Sequence, residues 1–76
     1  MPNKSQYILY HTEGCHLCEL ALEIVQRAQI NFVQVDICDS EALAEKYGIT
    51  IPVLSDGNQE LNWPFDDAKL AHFLGV

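Results

Sequence analysis

Two cysteines with two residues between them, Cys15-His16-Leu17-Cys18, are the part of this 76-residue chain best suited to do chemistry. A cysteine attacks disulfides and binds metals as its thiolate, so the place the chain gives it decides its use. Here the pair follows a short run of strand formers, Tyr7-Ile8-Leu9-Tyr10, and a breaker, Gly14. From Cys15 onward the period changes: Leu17, Leu20, Ala21, Ile24, Val25 and Ala28 recur at three- and four-residue steps, with Glu19, Glu23, Gln26 and Arg27 on the other side. That pattern predicts an amphipathic helix from at or near Cys15 to around Gln29. At a helix start, unpaired backbone N–H groups and the helix dipole both favour negative charge. Cys15 is therefore expected to be the reactive thiolate. Cys18, one turn later and more shielded, would resolve a mixed disulfide on Cys15. His16 favours the thiolate when protonated, whereas Glu13 opposes it, and these two are the expected tuning residues.

The remaining elements follow from the same patterns. Phe32 to Ile37 alternates as a strand, with Val33, Val35 and Ile37 on one face. Asp39 reads as the cap of a short helix over Ser40 to Tyr47, which Gly48 ends. Thr50 to Leu54 reads as a strand interrupted by Pro52, which cannot donate to a ladder. Ser55-Asp56-Gly57-Asn58 is a turn signature, so Glu60 to Trp63 is the returning strand of a hairpin, closed by Pro64. Asp66 or Asp67 caps a last helix whose Leu70, Phe73 and Leu74 form its apolar stripe. The order β-α-β-α-β-β-α implies one α/β domain over residues 1–76. In it the first two strands are parallel, the hairpin is antiparallel, and helices cover both faces of a small mixed sheet.

Composition limits what such a domain does. Eleven acids against four bases leave a net charge of −7, and Lys4, Arg27, Lys46 and Lys69 form no patch, which excludes phosphate-backbone binding to nucleic acid. No apolar run approaches the roughly 18 residues of a membrane span. The first six residues lack the apolar stretch of a secretory signal, so the expected location is the cytoplasm. Three cysteines are an odd number, and a C-x-x-C in such a setting points to redox chemistry before structure.

With these residues in hand, the chain resembles a glutaredoxin-type member of the thioredoxin superfamily along nearly its whole length. The resemblance rests on the element order, on Tyr10-His11-Thr12-Glu13-Gly14-Cys15-His16-Leu17-Cys18, and on Tyr47-Gly48-Ile49-Thr50-Ile51-Pro52-Val53-Leu54. It is nearest to a compact group ending in a segment like Leu61-Asn62-Trp63-Pro64-Phe65-Asp66. It implies a three-layer thioredoxin-like sandwich with a four-stranded sheet. It also implies a cis Pro52 beside the dithiol, and a substrate side formed by Thr50, Ile51, Pro52, Trp63 and Asp66, where the Ile51 backbone pairs with an extended substrate. The implied activity is thiol–disulfide exchange on protein or small-molecule disulfides for cell redox homeostasis; no resident cofactor or metal is expected, and a monomer is the default state. Glutathione is the implied co-substrate. This chain nevertheless has His16-Leu17 where ordinary glutaredoxins carry a proline and an aromatic. Trp63-Pro64-Phe65 replaces their glycine pair, and a base before the dithiol is missing. These departures and the acidic surface predict weak or absent turnover of small glutathione mixed disulfides.

Other residues carry plainer expectations. Cys38, at the end of the second strand, reads first as a small buried apolar residue and second as a third redox thiol. Trp63 and Phe65 are expected to anchor the last helix, His11 and His72 to lie on the surface, and Tyr7, Tyr10 and Tyr47 to be core or rim. Two other classes of function compete with the oxidoreductase. One is a metal or iron–sulfur module using Cys15, either with Cys18, Cys38 and a histidine or across two copies. The other is an interaction domain with a vestigial dithiol.

Overall fold

The computed structural model describes residues 6–75; Lys4, one of the scattered bases, and the ends of the expected 1–76 domain lie outside them. Four strands, β1 (Tyr7–His11), β2 (Phe32–Asp36), β3 (Val53–Ser55) and β4 (Glu60–Asn62), form one sheet in the order β2-β1-β3-β4. β1 and β2 are parallel, while β3 runs antiparallel to both β1 and β4. Helices α1 (His16–Arg27), α2 (Glu41–Tyr47) and α3 (Asp67–Leu74) complete the α/β fold. Among the described residues no helix is long and apolar enough to cross a membrane.

Adjacent strand residues point to opposite faces of a sheet, and here each face has its own core. Leu9 and Leu54, paired in register and fully buried, pack with Ala21 and Val25 of α1, with Phe65, and with Leu70 of α3. Their neighbours Tyr10 and Val53, also paired, belong to the other cluster with Ile37, Leu43, Tyr47 and Ile51, under α2. Each fully buried leucine contributes about 1.5–3 kcal/mol of transfer free energy. α3 is capped by Asp66, whose carboxylate accepts from Lys69 N–H at 2.8 Å, as the capping pattern implies.

Four local expectations need correction. β2 ends at Asp36 rather than Ile37, because the Asp36 carboxylate captures the Cys38 N–H at 2.9 Å and turns Ile37–Asp39 into a single 3₁₀ turn. Ser40, not Asp39, therefore caps α2, its hydroxyl accepting from Leu43 N–H at 3.4 Å. β3 starts only at Val53, so Thr50–Pro52 is a connection and not a strand. Leu17 and Leu20, expected on the buried stripe of α1, are 46% and 38% exposed, since that stripe is covered only from Ala21 onward.

Candidate functional site

Gly14, at φ 78°, takes a left-handed conformation that a side chain would strain, and it turns the chain from β1 into α1. Cys15 is then the N-cap of α1, with extended backbone, and its sulfur accepts the Cys18 N–H at 3.1 Å. One turn on, Cys18 is 5% exposed and Cys15 half-buried, while His16 and Leu17 between them face outward. The two cysteines are joined in a disulfide, with 5.2 Å between their Cα atoms. Sγ of Cys15 thus takes up one of the helix-start donors that no main-chain acceptor can satisfy.

The pair borders a concavity of about 200 Å³ on the β2 flank of β1, lined by His11, Thr12, Glu13, Gly14, Cys15, Cys18, Glu19, Leu22 and Gln34. Its charged walls are the carboxylates of Glu13 and Glu19, both exposed. His16 Nδ1 lies 3.6 Å from Glu19 Oε1, an ion pair only when the imidazole is protonated. Thr12 Oγ1 sits 3.3 Å from Cys38 Sγ. The Cys38 N–H foremost, and the Thr12 hydroxyl to a lesser degree, hold the Asp36 carboxyl below the ordinary aspartate value.

The residues of the expected substrate side lie elsewhere. Ile51–Pro52 is cis, and Pro52 is fully buried. The β1–β3 register, continued one residue past Tyr10↔Val53, puts Pro52 opposite His11, at the sheet end from which the chain leaves for Cys15. Thr50 and Ile51 are held by Tyr47, whose carbonyl accepts both their N–H groups at 3.0 and 3.2 Å. Trp63 follows the last β4 residue, is half-buried, and packs edge-on to Phe65, 5.1 Å between centroids, with Trp63–Pro64 also cis. The Asp66 carboxylate is taken up in capping α3, and Asp67 pairs at 3.2 Å with Arg27 at the C-terminal end of α1. None of these five lines the concavity beside Cys15. Thr50, Ile51, Pro52 and Trp63 lie on the β3–β4 side of the sheet, and Asp66 stands in the α3 cap.

Cys38 is exposed, against the expectation of a small buried residue, because the 3₁₀ turn swings it out of the sheet. Among the described residues no three of His, Cys, Asp and Glu are grouped to hold a metal ion, so Cys15, Cys18 and Cys38 do not converge as a ligand set. Residues that the patterns did not single out are Thr12, Glu19, Leu22 and Gln34. Glu19 was open to inference from its place four residues after Cys15 on one helix face. Gln34 depends on strand register, which nothing in the sequence states.

The model of the family described as "Glutaredoxin-like domain (DUF836)" matches residues 6–75. The crystal structure of protein XcR50 from X. campestris is 41% identical, covers 90% of this chain and 93% of its own, and superposes with a TM-score of 0.84. The solution structure of XcR50 gives 0.81 at the same identity, over 90% of each chain. A glutaredoxin from Archaeoglobus fulgidus shares the fold at 20% identity and a TM-score of 0.72, over 95% of this chain and 88% of that one. No curated protein matches the sequence.

Proposed function

The chain belongs to the glutaredoxin-like domain family, and from that membership we propose that it is a thiol–disulfide oxidoreductase working through Cys15 and Cys18. The observation that supports this most directly is the place of Cys15. Its sulfur caps α1 and accepts the Cys18 N–H at 3.1 Å, in reach of a partner cysteine that is itself 5% exposed. A helix-start donor aimed at the sulfur favours the thiolate over the thiol.

The cycle then runs in two exchanges. The Cys15 thiolate attacks one sulfur of a substrate disulfide, forms a mixed disulfide and releases the other sulfur as a thiolate, which takes the Cys18 proton. Cys18 attacks the Cys15 sulfur, closes the Cys15–Cys18 bond and releases the second substrate sulfur. The substrate gains the two electrons that the dithiol loses, and a dithiol or thiol reductant of the cell returns them. Glutathione is a poor substrate in this reading, because it is an anion and the concavity is walled by two carboxylates. The enzyme works as a cytoplasmic monomer on protein or small-molecule disulfides, without a resident cofactor.

The test is to equilibrate metal-free protein in a series of glutathione redox buffers, trap the free thiols and read the intact mass, with Cys38→Ser alongside. One Cys15–Cys18 disulfide that opens and closes reversibly is the expected result in both proteins. Thiols that stay unpaired across the series, or pair only at alkaline pH, refute the proposal.

A further inference from the structure

Resting on the thiol–disulfide reading above, we infer that the substrate of this dithiol is a polypeptide disulfide with lysine or arginine beside its reactive cysteine. The concavity against the Cys15–Cys18 bond carries two carboxylates, Glu13 and Glu19, and no lysine or arginine. Elsewhere among the described residues Arg27 is paired with Asp67 at 3.2 Å, Lys46 with Glu60 at 3.8 Å, and Lys69 stands on α3. Among the described residues, the basic side chains beside these two acids are imidazoles: His16, 3.6 Å from Glu19, and His11 in the wall of the concavity.

Their position matters for the reaction as well as for docking. Glu19 lies four residues after Cys15, a spacing that brings side chains to about 6 Å on a helix, and Glu13 lies two residues before it. Exchange passes through a state in which one negative charge is spread along three sulfurs, and both carboxylates oppose that charge. A cation carried by the substrate offsets them, so it speeds encounter and eases the chemical step together. A small anionic disulfide meets the reverse on both counts. The polypeptide part of the inference comes from the outer face of α1. There Leu17 and Leu20, 46% and 38% exposed, carry apolar surface beyond the concavity, where a small disulfide does not extend.

The experiment measures how fast the reduced full chain opens three disulfides. Two are peptides with one internal disulfide, identical except for lysine or glutamate on either side of the first cysteine. The third is cystamine, a small dication. Each rate is normalised to the rate of the same disulfide with dithiothreitol, which removes intrinsic reactivity. At low ionic strength the lysine peptide is expected to react about tenfold faster than the glutamate peptide. The ratio falls to about twofold in the double variant Glu13→Gln, Glu19→Gln, and in about 0.5 M salt, where charges are screened within a few ångströms. Equal rates with the two peptides, or a preference that survives in the double variant, overturn the inference. Cystamine reacting as fast as the lysine peptide overturns its polypeptide part. A Cys15–Cys18 pair that does not cycle with dithiothreitol refutes the dithiol reading itself, whereas a pair that cycles without charge preference refutes only this inference.

Discussion

Replacing Tyr47 by phenylalanine removes one hydroxyl from the core under α2 and leaves the ring in place. That ring is 4% exposed and stacks on Tyr10 at 4.3 Å between centroids. Its hydroxyl donates to Glu60, whose Oε2 also lies 3.8 Å from Lys46 Nζ. A hydrogen bond to a charged acceptor contributes about 1.5–3 kcal/mol. The Glu60 side chain is 35% exposed, so water recovers part of that loss and about 1–2 kcal/mol is expected. In a domain of this size each kcal/mol moves Tm by about 4–8 °C, which places the variant about 5–15 °C lower in a circular-dichroism melt at pH 7. The pH dependence has a definite sign. Burial first, then the hydrogen bond and charge of Glu60, raise the Tyr47 hydroxyl well above its ordinary value of 10.0. The folded chain therefore keeps a proton that the unfolded chain gives up near pH 10. Stability from this group is whole below pH 10 and declines above it, by at most about 1.4 kcal/mol per pH unit. The variant has no such proton, so the gap between the two proteins narrows above pH 10. A Tm difference under 2 °C at pH 7, or a gap that stays constant up to pH 11, refutes the reasoning.

Gly48→Ala should lower stability even though alanine is the better helix former by about 1 kcal/mol. The added Cβ would stand 2.5 Å from the Ala44 carbonyl oxygen, a backbone atom that cannot swing aside, and crowding of this kind costs about 1–3 kcal/mol. A urea midpoint equal to or above that of the natural chain contradicts the geometry. Iodoacetamide added to the oxidised native protein should give one adduct, on exposed Cys38, and three after reduction and unfolding. An oxidised protein that needs denaturant before it reacts would place Cys38 inside.

The order of elements was legible because period and punctuation agree. The three- and four-residue apolar steps after Cys15 and the aspartate ahead of the last apolar stripe both mark element starts that the structure keeps. Local competition was harder to read. Val33, Val35 and Ile37 alternate like one strand face, yet a side-chain acceptor at Asp36 outbids the ladder for the Cys38 N–H, and Cys38 leaves the sheet with the turn. Leu17 and Leu20 continue the apolar period of α1 past the point where any element covers it, and a pattern does not report how far its partner extends. The dithiol stood out by type and spacing. Its acid-walled hollow did not, because Gln34 reaches it only through the parallel register of β1 and β2.

The sheet divides this small protein into two cores, and that division has an evolutionary consequence. The helix bearing the cysteines is rooted in the core with Leu9 and Leu54, whereas the segment leading to Pro52 is rooted in the other, with Tyr47 and Val53. Substitutions more than about 7–10 Å apart that share no partner add independently, and the side chains of α1 and α2 belong to different clusters. A lineage can therefore repack the α2 side, and re-aim the loop before Pro52, while the helix that carries the sulfurs keeps its inherited packing. The seating of the sulfurs and the aim of the loop before Pro52 are heritable as separate traits within a single short chain.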